Sequence, residues 1–114
     1  MSLQVMNQNG LLVLRPEGAM NAVTSPPLDS EMQDALSDNE APVVLDLSLV
    51  PFISSQGLRT VVTVAKIAKA RATLVVSGLQ PQLLEMFKLA GLDRLVSLQD
   101  EVPLSVETSA MKAG

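Results

Sequence analysis

Apolar and polar residues alternate along this chain with two different periods, and each change of period marks an element. Leu3-Gln4-Val5-Met6 and Leu11-Leu12-Val13-Leu14 flank Asn9-Gly10. That dipeptide accommodates the positive φ angles of a tight turn, so the chain is expected to open with a β-hairpin, closed by Pro16-Glu17-Gly18. Pro26-Pro27 can begin a helix, because the first N–H groups of a helix lack partners anyway. Leu28, Met32, Ala35 and Leu36 follow at i, i+4, i+7 and i+8, with acids outside, and Asp38-Asn39 ends that helix. Val43-Val44-Leu45-Asp46-Leu47 is too short for a helix and apolar on both faces, as a central strand should be.

Ser48 to Gly57 is an irregular connection into a second helix. Its pattern turns Leu58, Val61, Val62, Ala65 and Ala68 inward and Arg59, Thr63 and Lys66 outward. Thr73-Leu74-Val75-Val76 reads as another buried strand, halted at Ser77-Gly78. Pro81 starts a third helix with Leu83, Leu84, Phe87 and Leu89 inward, and Ala90-Gly91 stops it. Leu95 to Leu98 is expected as a last short strand and Pro103 to Met111 as a closing helix, with residues 112–114 frayed. Two strands followed by alternating helices and strands require crossovers and largely parallel pairing, while the hairpin adds an antiparallel edge. The expected fold is therefore α/β: a mixed sheet of four or five strands with about four helices, in a single domain over 1–114. Val43–Leu47 should be central in that sheet.

Composition narrows the chemistry. Of 114 residues, 47% are apolar but only 2% aromatic, so a single core must be largely aliphatic. Cys, His, Trp and Tyr are all absent. That excludes a disulfide frame, a thiolate or imidazole zinc site, a Cys nucleophile and a serine triad with a histidine base. A net charge of −4 and the missing aromatics exclude a base-stacking platform, so no direct nucleic-acid partner is expected. No apolar run approaches the ~18 residues of a membrane span, and the first twenty residues lack a signal peptide's order. The expectation is a cytoplasmic domain without membrane insertion. Charge is also segregated: seven acids and no base lie between Pro16 and Leu58, whereas Leu47 to Leu84 holds four bases and no acid. Two solvated helix faces would produce this, and so would a dipolar surface that orients a partner.

Two places could carry chemistry. Asp46 ends a central strand, where a receiver domain has its phosphoacceptor. That chemistry also needs a carboxylate pair for Mg²⁺ and a lysine for the phosphoryl oxygens, and the first strand offers no acid. Asp46 instead reads as a carboxylate that binds loop amides after its strand. The second place is Ser54-Ser55-Gln56-Gly57, between apolar Phe52-Ile53 and a helix. A helix N-terminus favours negative charge, so a serine there can cap the helix or carry a phosphate. Two adjacent serines allow both roles. Gly57 in the first turn costs roughly 1 kcal/mol of propensity against Ala, which suggests a need for close approach or pliability.

Asp46-Leu47-Ser48, a two-residue gap, then Pro51-Phe52-Ile53-Ser54-Ser55-Gln56-Gly57-Leu58-Arg59 closely resembles the signature of STAS domains, in the branch of bacterial anti-sigma factor antagonists. Gly18-Ala19-Met20-Asn21 and the Ala90-Gly91-Leu92 stop after Phe87 fall where that family has similar turns. The resemblance implies a protein switch without catalysis or cofactor. An anti-sigma factor with serine kinase activity would be the partner, and a PP2C-type phosphatase would reverse the phosphorylation. By the same resemblance the phosphoacceptor is Ser55, two residues before the motif glycine. Asn21, Phe52, Ile53, Ser54, Gln56, Gly57 and Arg59 would then contact the partner around it. Ser54 and Asn21 stand where Asp is common, which withdraws two negative charges from the pocket. The alternative is a STAS subunit of another assembly, a lipid-transport ATPase complex or a sensory signalling complex, in which phosphorylation has no part. A small nucleotide-binding enzyme lacks support, for the chain has no glycine-rich phosphate loop followed by Lys.

Overall fold

The computed structural model describes residues 2–103. β1 (Ser2–Gln8) and β2 (Leu11–Glu17) form the expected hairpin, paired from Ser2↔Glu17 to Gln8↔Leu11. Asn9 (φ 53°) and Gly10 (φ 84°) occupy its turn, both in the left-handed region that matches the twist of a two-residue hairpin. The chain then crosses through α1 (Ser25–Ser37) to β3 (Val43–Asp46) and through α2 (Ser55–Ala68) to β4 (Val75–Ser77). Finally α3 (Pro81–Leu89) and a 3-10 turn (Leu92–Arg94) lead to β5 (Ser97–Gln99). The five strands form one sheet in sequence order, antiparallel at β1–β2 and parallel from β2 to β5. β3 is thus the middle strand, as its two-sided apolar pattern requires.

The period-two alternation of the strands divides the core in two. Leu12, Leu14, Val43, Leu45, Leu74 and Val76 face the helices and meet Met32, Leu36, Val61, Val64 and Phe87 in one cluster. Leu11, Val13, Val44 and Val75 form a smaller cluster on the other face, with Met6 and Val102 packed against it.

Several expectations shift. Leu89 is 82% exposed, because it lies two residues and about 200° around the helix from buried Phe87. In α2 the fully buried positions are Gly57, Thr60, Val61, Val64, Ala65 and Ala68, while Leu58 and Val62 are half-buried on the flank. Thr60 can turn inward because its hydroxyl donates to the Gln56 carbonyl at 3.4 Å. The last strand begins at Ser97 rather than Leu95. Leu95 and Val96 donate their N–H groups to the Leu92 carbonyl and so belong to the preceding turn. Three α-helices are described against about four expected; the closing helix expected from Pro103 to Met111, and the frayed end, fall outside the described residues.

Candidate functional site

The loop after β3 and the first turn of α2 are built on an unusual strut. Met20 N donates to Phe52 O and Ser54 N donates to Met20 O, both at 2.8 Å, so Met20 and Ile53 form an isolated parallel bridge. This bridge holds the loop before α1 against the start of α2. Gly57 makes the approach possible. A Cβ there would lie 2.8 Å from Ile53 Cγ2, 2.8 Å from Met20 O and 2.9 Å from Met20 Cβ. Its propensity cost is therefore matched by a contact that only a glycine permits.

The two serines differ. Ser54 has extended backbone (φ −83°, ψ 175°) and its Oγ accepts from Gly57 N at 3.3 Å, so it caps α2. Ser55 is the first residue of α2 and is exposed. The cap and the exposed hydroxyl are thus on separate residues. Arg59 lies one turn further on, also exposed, and Lys66 continues the same solvent face. Gln56 is half-buried.

Asn21 is engaged with its own loop. Its Oδ1 accepts from Val23 N at 2.9 Å and Thr24 N at 3.0 Å, while Asn21 N donates to Thr24 Oγ1 at 2.9 Å. This reciprocal arrangement is a capping box in which Thr24 takes the part usually played by Glu or Gln. It also opens the helical hydrogen bonding early, since Ser25 N donates to Asn21 O. Asn21-x-x-Thr24 is a local capping signal, whereas Met20 leaves no mark in the sequence, because its role is carried by backbone groups.

An apolar patch of Val50, Phe52 and Ile53 is not present at the surface. Val50 and Ile53 are buried, and Ile53 is a support beneath the site whose side chain a partner cannot reach. Phe52 is 51% exposed, with Leu49 also exposed in the same loop. Val23, on the loop that the strut brings alongside, is the most exposed large apolar residue of the described chain. Of the residues expected to meet a partner, Phe52 with polar Ser54, Gln56 and Arg59 reaches the surface around Ser55, and exposed Leu49 and Val23 lie on the adjoining loops.

Asp46 behaves as a structural carboxylate. It is buried, accepts from Arg15 Nε at 2.7 Å and accepts from Ser48 N at 3.0 Å. One oxygen is held by the neighbouring strand and the other by the loop, so the loop leaves β3 in a fixed direction. Among the described residues no group of acids could hold a metal ion, and no helix is long and apolar enough to cross a membrane.

The fold and site are thus a mixed five-stranded sheet covered by helices, with an exposed serine at a capped helix start. The sequence model of the STAS domain matches residues 2–107, so the chain belongs to the STAS domain family. It is 34% identical over 92 residues to BtrV of Bordetella bronchiseptica, named an anti-sigma factor antagonist, covering 80% of this chain and 79% of BtrV. It is 33% identical over 58 residues to RsfB of Mycobacterium tuberculosis, named an anti-sigma-F factor antagonist. That match spans 51% of this chain and 48% of RsfB. The crystal structure of an anti-sigma factor antagonist from Mycobacterium paratuberculosis has the same fold, with a TM-score of 0.81 at 23% identity, over 98% of this chain and 92% of that one.

Proposed function

We propose that this protein is an antagonist of an anti-sigma factor, acting in the cytoplasm by binding and without catalysis of its own. The unphosphorylated form binds an anti-sigma factor that has serine kinase activity, and the sigma factor is released. Phosphate on Ser55 ends the binding, and a PP2C-type phosphatase restores it. Family membership and the names of BtrV and RsfB support the antagonist role.

The observation that carries the switch is the separation of labour between the two serines. Ser54 Oγ is committed to Gly57 N, whereas Ser55 is exposed in the first turn of α2. A phosphate on Ser55 adds about −1.5 to −2 charges at pH 7 beside N–H groups that favour an anion, and leaves the cap in place. Arg59, four residues on, can add a charge-assisted bond. The fold is thus spared while the surface changes sign. Against an apolar or acidic partner surface, each 1.4 kcal/mol of desolvation and repulsion weakens binding about tenfold.

Incubation with the cognate anti-sigma kinase and ATP, followed by fragmentation mass spectrometry, tests the assignment. Phosphate is expected on Ser55, in wild type and in Ser54→Ala, and not in Ser55→Ala. Phosphate on Ser54 alone overturns the acceptor. Undiminished partner binding by the phosphorylated protein overturns the switch and favours a STAS subunit that works without phosphorylation.

A further inference from the structure

The sheet has two edges, and they are treated differently. β5 is three residues long and is followed at once by Asp100 and Glu101. β1 is seven residues long, Ser2–Gln8, and contains no Lys, no Pro and no charged residue. Short length, charge and proline are the usual protections of an edge. β1 has none of them.

Its free hydrogen-bonding groups follow from the register. Leu3 opposes Pro16, which has no N–H, so this is a non-hydrogen-bonded pair. Alternation makes Val5↔Leu14 and Asn7↔Leu12 pairs of the same kind. In agreement, Leu12 N turns the other way and donates to Pro42 O at 2.9 Å. The N–H and C=O groups of Leu3, Val5 and Asn7 therefore point away from β2, a row of donors and acceptors along an edge that no other described strand pairs.

The charge beside that edge selects what fits. α1 packs against β1 on one side and α2 on the other. At 100° per residue, Glu31, Asp34 and Asp38 share the flank of α1 opposite Asp29, and all three are exposed. A right-handed β2–α1–β3 crossover turns that flank away from α2 and over the β1 edge. No base lies between Pro16 and Leu58 in the sequence, and the Arg71 guanidinium that reaches the end of α1 is bound there to Leu36 O at 2.7 Å. A second copy paired antiparallel about a two-fold axis would set both acidic flanks face to face.

We propose that the open edge of β1 takes an extended basic segment of a partner protein as a sixth strand. Main-chain groups of Leu3, Val5 and Asn7 supply the pairing, and Lys or Arg at alternate positions of the segment meet Glu31, Asp34 and Asp38. This surface does not involve Ser55 and stands whether or not that serine is phosphorylated.

The test uses a short peptide alternating Lys with Val, and its counterpart with Glu for Lys, titrated into the full ¹⁵N-labelled chain at near-physiological salt. The Lys peptide should shift the Leu3, Val5 and Asn7 amides and slow their exchange, and the Glu peptide should not. Val5→Pro removes an outward N–H and no bond to β2. It should weaken the Lys peptide about tenfold, the upper end for one net hydrogen bond. The triple variant E31K/D34K/D38K keeps β1 intact and should lose the Lys peptide and gain the Glu peptide. Equal binding of both peptides, or no response at the three amides, overturns the proposal. So does concentration-dependent self-association that Val5→Pro abolishes, which would give the edge to a second copy.

Discussion

At Gly57 the absence of one methyl group decides how closely α2 approaches the Met20 loop. The nearest atoms to a Cβ there are Met20 O, Met20 Cβ and Ile53 Cγ2, all at or next to the backbone and unable to swing aside. Gly57→Ala gains helix propensity yet overpacks the strut, and overpacking typically costs about 1–3 kcal/mol. The expected result is a net loss of stability in thermal or urea unfolding, together with weaker partner binding, because Ser55 is mounted on the displaced turn. An unchanged or raised melting temperature would show that the strut yields freely. The Arg15–Asp46 pair illustrates the opposite case: a buried carboxylate is tolerated because both its oxygens are held. Removing Arg15 would leave that charge half-partnered in the interior.

The first turn of α2 is an element with two jobs, and the serines allow them to be separated by measurement. Ser54→Ala deletes the cap and should cost about 0.5–1 kcal/mol, at the low end of N-cap losses since the bond is a long 3.3 Å. Ser55→Ala should lie within about 0.5 kcal/mol of wild type, as exposed substitutions away from caps and cores do. Chemical denaturation of the two variants side by side checks this. Equal losses would mean that Ser55 shares the capping. α1 begins on a different device, the Asn21–Thr24 box, so the two helix starts flanking the strut are fixed independently.

On the whole molecule, the exposed apolar side chains of the loops beside Ser55 are Phe52, Leu49 and Val23, and Phe52 is the aromatic among them. A half-exposed aromatic beside Ser55 is suited to anchoring, since aromatic residues dominate interface energetics. Phe52→Ala should weaken anti-sigma factor binding about tenfold or more. Its melting temperature should barely move, because the ring is 51% exposed and Val50 and Ile53 hold the loop from inside. Calorimetric titration beside a thermal melt separates these outcomes. A large loss of stability with unchanged affinity would make Phe52 a packing residue.

The strand and helix order, the central position of Val43–Asp46, the Asn9-Gly10 turn and a capped helix starting at the two serines were all legible in the sequence. Each rests on interactions between near neighbours: side-chain period, backbone φ preference and local capping. Which of three apolar residues in one loop, Val50, Phe52 and Ile53, would face solvent was not legible. The loop has no period, and the answer came from a bridge to Met20, more than thirty residues earlier in the chain. The same holds for Leu89, whose apolar character fits a core that the helix's orientation turns away from it. The reason for Gly57 was open between pliability and close contact until Met20 and Ile53 lay beside it. The open edge of β1 likewise exists only once the sheet is assembled, because pairing on one side of a strand is a property of the fold. Local physics wrote the elements, and contacts between distant residues decided the surface through which they act.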